Sequence, residues 1–350
     1  MHYLFYALLC AACLVAQREQ NPTIIEVNGL FYTSPIETSN GTVVIASHNS
    51  YIYFFDPNGG LINTYRTGKW IHTAANELSN GDIVIGSYDG YFYFFNSGGN
   101  FLNKIQPGGF IFTNPVEFGN YIVFGNNKGQ VVFYDRANNG LSRLEIGRIA
   151  PGSPIITTAN NMLIIGSNNK NIHFINEQKE IVHTFATDGW TMYSKPFETE
   201  NGSIIFGSYD RNLYSVDRYG NENWRFSAYG QIHGSPVQTP DGTIIFGSFD
   251  GYIYVLSAHG ELINRVETGN QLVASPAMWN ESVAFIGSHD GHLYFIDTQG
   301  HLLGKYYAGG KIFSSPIVLS NGWIFVATQN GRLHFVPGRI VERIIQNQET

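Results

Sequence analysis

The sequence is organised by an internal repeat of about 40 residues that occurs eight times. Each copy contains a Ser-Pro step or its equivalent, an Asn-Gly or Asp-Gly turn, an apolar strand ending in Gly-Ser, and an aromatic strand ending near Asp. The clearest copy runs from Ser235 to Val255. A fixed period of this size predicts an architecture in which each unit packs against the next.

The register of the repeat can be followed through the whole chain of 350 residues. The Pro position is occupied by Pro35, Ala75, Pro115, Pro154, Pro196, Pro236, Pro276 and Pro316, at spacings of 40, 40, 39, 42, 40, 40 and 40. The Gly position is occupied by Ala46, Gly86, Gly125, Gly166, Gly207, Gly247, Gly287 and Ala327. Eight such units and an N-terminal extension account for the length.

Within each unit the apolar pattern has a period of two and predicts strands. Asp-Gly at Asp89, Asp250 and Asp290 joins two aromatic or β-branched runs, which is a strong hairpin signal. A second turn and a fourth strand follow, such as residues 262–268. Four antiparallel strands per 40-residue unit indicate a propeller blade. The sequence therefore predicts an all-β chain that forms a single eight-bladed β-propeller of four-stranded antiparallel blades.

Two segments compete to close the ring as the outer strand of the last blade. Residues 23–29 lie at the same distance before Pro35 as the fourth strands lie before later prolines. Residues 340–345 could occupy the same place from the other end of the chain. The spacing favours the N-terminal strand.

The N-terminal segment is typical of export. Residues 4–16 form an apolar run that is too short to span a bilayer, although Met1 to Tyr3 supply no Lys or Arg. We expect a signal peptide at 1–17, a linker at 18–22, the propeller at 23–345 and a tail at 346–350; the alternative is a retained extension. The two cysteines, Cys10 and Cys13, both lie in this segment, and Cys13 could be lipidated. The mature chain would then contain no cysteine and no disulfide.

The repeated motifs, Ser-Ser-Pro, Gly-Ser-x-Asp-Gly and Leu-Tyr-x-x-Asp, resemble those of the quinoprotein-like (pyrroloquinoline-quinone-like) propeller family over residues 23–345. The resemblance implies either a quinone-dependent dehydrogenase or a non-catalytic propeller like the lipoprotein that assists outer-membrane β-barrel assembly. The family's enzymes place Trp early in the fourth strand, and here only Trp224 fits. The vicinal cysteines expected of many such enzymes are also absent from the mature chain. These departures argue against a quinone, and we expect no cofactor and no metal.

Other catalytic signatures are absent from the sequence. It contains no G-x-S-x-G elbow, no H-E-x-x-H and no Walker A loop. The net charge of −7, with 20 Lys and Arg and no basic run, argues against a nucleic-acid surface. Asp89, Asp210, Asp250 and Asp290 recur at one repeat position, which indicates a role in the fold rather than in catalysis.

Residues that vary between blades are better candidates for a binding site. The loops between blades and the turns between second and third strands gather at one face, around the mouth of the central channel. The candidate ligand- or partner-binding residues at this mouth are Trp70, Phe110, Trp190, Tyr88, Tyr209, Phe249, His72 and His233. Aromatic side chains there could stack on a sugar, peptide or ring ligand, or they could pack between adjacent blades. His72 and His233 share a repeat position four blades apart, so they either face each other across the channel or form separate hydrogen bonds.

Together these features favour an exported, monomeric, non-catalytic scaffold, secreted, periplasmic or anchored through a lipid on Cys13. Its partner would be a protein or a small ligand. The alternative is a small-ligand binder or quinone enzyme that uses the channel mouth.

The apolar run predicts where the mature protein begins. If residues 4–16 form the core of a signal peptide, cleavage should leave an N-terminus between Cys13 and Arg18. N-terminal sequencing of protein recovered from its native cell checks this. An intact Met1 on soluble cytosolic protein would contradict it.

Overall fold

A computed structural model describes residues 21–111, 113–147, 155–156, 161–191 and 194–346. These residues form eight four-stranded antiparallel sheets, which are the blades of an eight-bladed β-propeller and confirm the predicted fold. The middle strands of each blade are buried at nearly every residue, because the blade packs against a neighbour on either face. The predicted leader, Cys10 and Cys13 lie outside the described residues.

Strands are numbered along the chain, and in blades 1 to 7 they run outward from the channel. Blade 1 contains β2 (Ile36–Glu37), β3 (Val43–Ala46), β4 (Tyr51–Phe55) and β5 (Leu61–Arg66), and blade 2 contains β6 (Asn76–Glu77), β7 (Ile83–Gly86), β8 (Phe92–Phe95) and β9 (Phe101–Ile105). Blade 3 contains β10 (Val116–Phe118), β11 (Tyr121–Gly125), β12 (Gln130–Asp135) and β13 (Leu141–Glu145), and blade 4 contains β14 (Ile155–Ile156), β15 (Leu163–Gly166), β16 (Asn171–Ile175) and β17 (Ile181–Ala186). Blade 5 contains β18 (Phe197–Glu198), β19 (Ile204–Gly207), β20 (Asn212–Val216) and β21 (Glu222–Ser227). Blade 6 contains β22 (Val237–Gln238), β23 (Ile244–Gly247), β24 (Tyr252–Leu256) and β25 (Leu262–Glu267), and blade 7 contains β26 (Ala277–Met278), β27 (Val283–Gly287), β28 (His292–Asp297) and β29 (Leu302–Tyr307). Blade 8 contains β30 (Ile317–Val318), β31 (Ile324–Ala327), β32 (Arg332–Val336) and β1 (Thr23–Glu26), and helix α1 (Gly338–Gln346) follows it.

The N-terminal strand closes the ring. β1 pairs antiparallel with β32, with Ile25 opposite Leu333. The prediction that residues 23–29 supply the outer strand of the last blade is therefore confirmed. The seam is reinforced where Arg332 Nε donates to Glu26 Oε1 at 3.0 Å and Gln329 Nε2 donates to the Tyr32 hydroxyl at 2.6 Å.

The competing C-terminal segment forms helix α1 instead of a strand. Its apolar residues recur with a helical spacing, so that Val341 is fully buried and Ile340, Ile344 and Ile345 are partly buried against blade 7. The helix lies against β29, whose Gly304 is buried. A Cβ on Gly304 would overlap Ile344 Cγ2 and lie 3.0 Å from its carbonyl oxygen. Glycine therefore lets the helix approach the sheet.

The buried core is divided into eight apolar clusters, one at each junction between adjacent blades. At the closing junction, Phe55 of blade 1 packs edge-on against Phe335 of blade 8, with ring centroids 5.6 Å apart. No helix in the described part of the chain is long and apolar enough to cross a bilayer.

Polar clasps join the blades at the face opposite the channel mouth. The Glu77 carboxylate accepts hydrogen bonds from the Ser39 amide and hydroxyl, both at 2.7 Å. Glu117 accepts the same pair from Ser79, again at 2.7 Å. Glu37 accepts from Ser320 at 2.6 and 2.7 Å, which carries the clasp across the seam between blades 8 and 1.

Removal of β1 should destabilise the whole ring. A chain that begins at Asn28 leaves the backbone groups of β32 without a partner strand and uncovers one side of the closing cluster. We expect a lower melting temperature than that of a control chain that begins at Asn21 and keeps β1, measured by circular dichroism. Equal melting temperatures would contradict closure through β1.

Candidate functional site

One type of backbone hydrogen bond recurs around the ring and holds together the loops of the channel mouth. In each case the amide of the turn residue between the second and third strands donates to a carbonyl of the loop that enters the same blade. The donor and acceptor pairs are His48–Leu30, Tyr88–Trp70, Asn127–Phe110, Tyr209–Trp190, Phe249–Gln231, His289–Gln271 and Gln329–Lys311, at 2.7 to 3.1 Å. This bond places the predicted turn residues and loop residues side by side on one face.

The same bond shows which loop residue corresponds to Trp70 in blade 5. Trp190, and not Thr191, accepts the hydrogen bond from Tyr209, at 2.9 Å. Thr191 takes the following, buried position and lies against Gly166. Counting back from Pro196 misses this because the spacing between Pro154 and Pro196 is 42 residues instead of 40.

The recurring aspartates are occupied by bonds within the fold. Asp290 Oδ1 accepts from the His292 amide at 2.9 Å, and Oδ2 accepts from the Gly269 amide at 3.0 Å and from the Tyr294 hydroxyl at 2.5 Å. Burial and the hydrogen bond to Asp290 raise the pKa of Tyr294 to about 12. Asp89, Asp210 and Asp250 make the same Tyr hydroxyl bond at 2.7 to 2.8 Å. The interpretation of this position as structural is confirmed.

The predicted aromatic residues are accessible at the mouth. Trp70 is 60% exposed, Trp190 47% and Phe110 42%. Tyr88, Tyr209 and Phe249 are half-buried. Exposed large aromatics concentrated on one face favour contact with a partner, whereas single exposed apolar residues are common on any protein. Their role in binding stays a prediction.

These side chains lie in two arcs of ring contacts. We define the first arc as Phe313, Tyr32, His48, His72, Trp70, Tyr88 and Phe110, and the second as Trp190, Tyr209, His233 and Phe249. In the first arc, Trp70 stacks on His48 with centroids 5.7 Å apart, and Tyr88 stacks on Phe110 at 6.2 Å. In the second arc, the His233 ring lies 4.4 Å from Tyr209 and 4.0 Å from Phe249.

The two predicted histidines belong to different arcs. His72 Nδ1 lies 2.9 Å from His48 Nε2, so the two rings share a hydrogen bond. Burial, followed by the nearby His48, lowers the pKa of His72 to about 4. His233 is 6% exposed, and its Nε2 lies 3.4 Å from Gln231 Oε1. Burial, followed by His289, lowers the pKa of His233 to about 3. Both rings are therefore neutral at pH 7.

Sequence reasoning missed Tyr32 and Phe313, which complete the first arc. They occupy the repeat position of His72 and His233, three residues before the Pro position, so the repeat itself contained the signal. Their rings lie 5.0 Å apart across the seam between blades 8 and 1. Of the described residues, no group of three or more His, Cys, Asp or Glu is placed to hold a metal ion.

Comparison with solved structures places this geometry in a known fold. BamB from Moraxella catarrhalis matches with a TM-score of 0.74 and 15% sequence identity, over 89% of this chain and 98% of that chain. The computationally designed Ika8 protein matches with a TM-score of 0.72 and 16% identity, over 89% of this chain and 97% of that chain. No family model and no curated protein sequence matches this chain. The resemblance inferred from the repeat motifs is thus confirmed for the fold.

The buried histidines predict an acid-sensitive fold. A histidine in the unfolded chain has a pKa near 6.5, so it binds a proton below that pH. In the folded protein His72 and His233 stay neutral until the pH falls to their lowered pKa values of about 4 and about 3. Stability should therefore fall as pH decreases from 7 to 5. Replacing both with glutamine should remove about 4 kcal/mol of that pH dependence in urea unfolding, or about 2 kcal/mol for each histidine.

The matched control is His259→Gln, because His259 is exposed on a hairpin away from the mouth. We expect this variant to keep the pH dependence of the unmodified protein. If the double variant and the control show the same slope between pH 7 and 5, the two mouth histidines titrate normally and the burial argument is wrong.

Proposed function

We propose that this protein is an exported, non-catalytic β-propeller scaffold that binds a protein partner through its channel mouth. The observation that carries the proposal is the concentration of Trp70, Phe110 and Trp190 on one face, each more than 40% exposed. Large aromatic side chains are enriched among the residues that contribute most to protein interfaces. The hydrogen bonds that hold the loops beneath them reduce the entropy that binding would cost.

The chemistry of the mouth supports binding rather than catalysis. Its recurring carboxylates, those of Asp89, Asp210, Asp250 and Asp290, each accept a Tyr hydroxyl and backbone amides, so they are committed to the fold. The neutral histidines His72 and His233 are packed against other rings. A calcium site of the kind that accompanies quinone would need carboxylates that are free to ligate.

The predicted site of action is outside the cytoplasm. The apolar run at residues 4–16 supports export, and Cys13 would allow attachment to a membrane through a lipid. The low number of basic residues, 20 against 27 acidic ones, supports a protein partner rather than nucleic acid. The fold shared with BamB is compatible with this proposal, but at 15% identity it carries the fold alone.

The test replaces the most exposed anchor of each arc. We expect Trp70→Ala with Trp190→Ala to weaken partner binding by about 1–3 kcal/mol for each tryptophan, or roughly 5- to 150-fold for each. The fold should be unchanged because both side chains project into solvent. Partners crosslinked to the unmodified protein in its native compartment would be identified by mass spectrometry, and their affinity for each purified variant would then be measured.

A matched control is Tyr219→Ala. Tyr219 is 62% exposed, but it lies in the hairpin between β20 and β21, at the opposite end of the blades. This variant should bind the partner normally. If the double variant binds as well as the control, or loses binding only in proportion to a lower melting temperature, the mouth is not the binding face.

A further inference from the structure

One cation lies inside a belt of hydroxyl groups that lines the channel below the mouth. The belt consists of the residues that directly precede the Pro position: Ser34, Ala74, Asn114, Lys195, Ser235, Ser275 and Ser315. The equivalent residue of blade 4, Ser153, lies outside the described residues. Lys195 is the only charged residue among the described members of this belt.

A chain of hydrogen bonds holds the belt together from blade to blade. The Lys195 amide donates to Ser235 Oγ at 2.8 Å, and the Ser235 amide donates to Ser275 Oγ at 2.8 Å. The Ser275 amide donates to Ser315 Oγ at 2.9 Å, and the Ser315 amide donates to Ser34 Oγ at 3.4 Å across the closing seam. Across another junction, the Ala74 amide donates to Asn114 Oδ1 at 2.7 Å.

The burial pattern shows that belt side chains face the channel. Ser194 is buried and so is Pro196, whereas Lys195 between them is exposed. Ser275 and Ser315 are likewise partly exposed between buried neighbours. Because these residues lie on the innermost segment of each blade, the solvent that reaches them is in the channel. The His72 and His233 layer lies two residues nearer the mouth, or roughly 7 Å along an extended chain.

The belt offers hydrogen-bond donors without matching acceptors. The four serine oxygens each accept a backbone amide of the preceding blade, and each hydroxyl still has one proton to donate. Of the described residues, none accepts those protons, and none forms an ion pair or a side-chain hydrogen bond with the Lys195 ammonium group. Although the Lys195 side chain is open to channel solvent, the protein around it desolvates the ammonium group and lowers its pKa. An ammonium group without an ion-pair partner, on a belt whose hydroxyls have protons left to donate, is complementary to an anion.

We propose that the channel contains a binding site for a small oxyanion, either a phosphate or a carboxylate group, which is held by the Lys195 ammonium and the serine hydroxyls of the belt. This site is distinct from the aromatic mouth and does not rest on partner binding there. Ser235 supplies the belt hydroxyl of the blade next to Lys195, and its oxygen is held in place by the Lys195 amide. The anion would supply the negative charge that the described residues do not bring to the Lys195 ammonium.

The experiment measures binding of inorganic phosphate and of acetate to the mature protein at low ionic strength, by calorimetry and by thermal shift. Phosphate or acetate should bind saturably and raise the melting temperature of the unmodified protein. Lys195→Met should reduce the affinity at least tenfold and abolish the shift. Removal of the unpaired charge should also raise the melting temperature in the absence of anion.

Three further variants keep the result interpretable. Lys195→Ser restores the residue type that most blades carry and should fold even if the methionine variant does not. Lys104→Met removes an exposed cation on the outer strand β9 and should leave anion binding unchanged. The Trp70→Ala, Trp190→Ala double variant should also bind anions normally, which separates this site from the mouth.

Each outcome decides the proposal. Binding of both anions, or of either one alone, that depends on Lys195 supports the site and identifies the preferred group. Equal binding to the unmodified protein and to both Lys195 variants would overturn it. An equal loss in the Lys104 variant would show a general charge effect, and the absence of saturable binding for both anions would also refute the site.

Discussion

The structure depends on the burial of both faces of every blade against its neighbours. Each of the eight apolar clusters draws residues from two adjacent blades, so a blade whose neighbour is missing would expose a complete core face. A ring is the only arrangement of these units that leaves no such face open. This requirement explains why β1 joins blade 8. It also explains why Glu37 and Ser320 form, across the seam, the same clasp that Glu77 and Glu117 form at other junctions.

The same requirement explains the glycine of the repeat. A Cβ on Gly287 would overlap Ile312 Cγ2 and lie 2.9 Å from Ile312 Cβ, and Ile312 is a fully buried residue on the loop that enters blade 8. Glycine at this position lets the next loop close over the end of the strand. The buried loop residue then fixes the exposed residue before it at the mouth. Two consecutive residues of the loop thus have separate tasks: one packs in the core, and the other is exposed at the mouth.

Much of the fold could be predicted from the sequence because the interactions that specify it recur in each unit. The period, the strands, the aspartate turns and closure by residues 23–29 all follow from repeated positions. Sequence reasoning missed helix α1, although its apolar residues have a helical spacing, because the outer position of blade 8 looked open to residues 340–345 until β1 was known to fill it. The alignment of Trp190 was obscured by the longer spacing before Pro196. The role proposed for Lys195 could not be predicted from the sequence, because it depends on the channel, which exists only when the ring has closed.

Several departures from the repeat fall in blade 5, and they make that side of the ring different from the others. That blade has the longest spacing before its Pro position, contains Trp190 at the mouth and Lys195 in the belt, and has Trp224 on its outer strand. Trp224 Nε1 donates to the Ala258 carbonyl of blade 6 at 3.2 Å, where the equivalent Asn264 of blade 6 uses an amide to reach Gly300. A ring of identical blades would present eight equivalent positions to any ligand. Local violations of a repeat are where function is expected, since the repeated residues already satisfy the fold. The anion site proposed around Lys195 should therefore lie off the channel axis, on the side of blade 5.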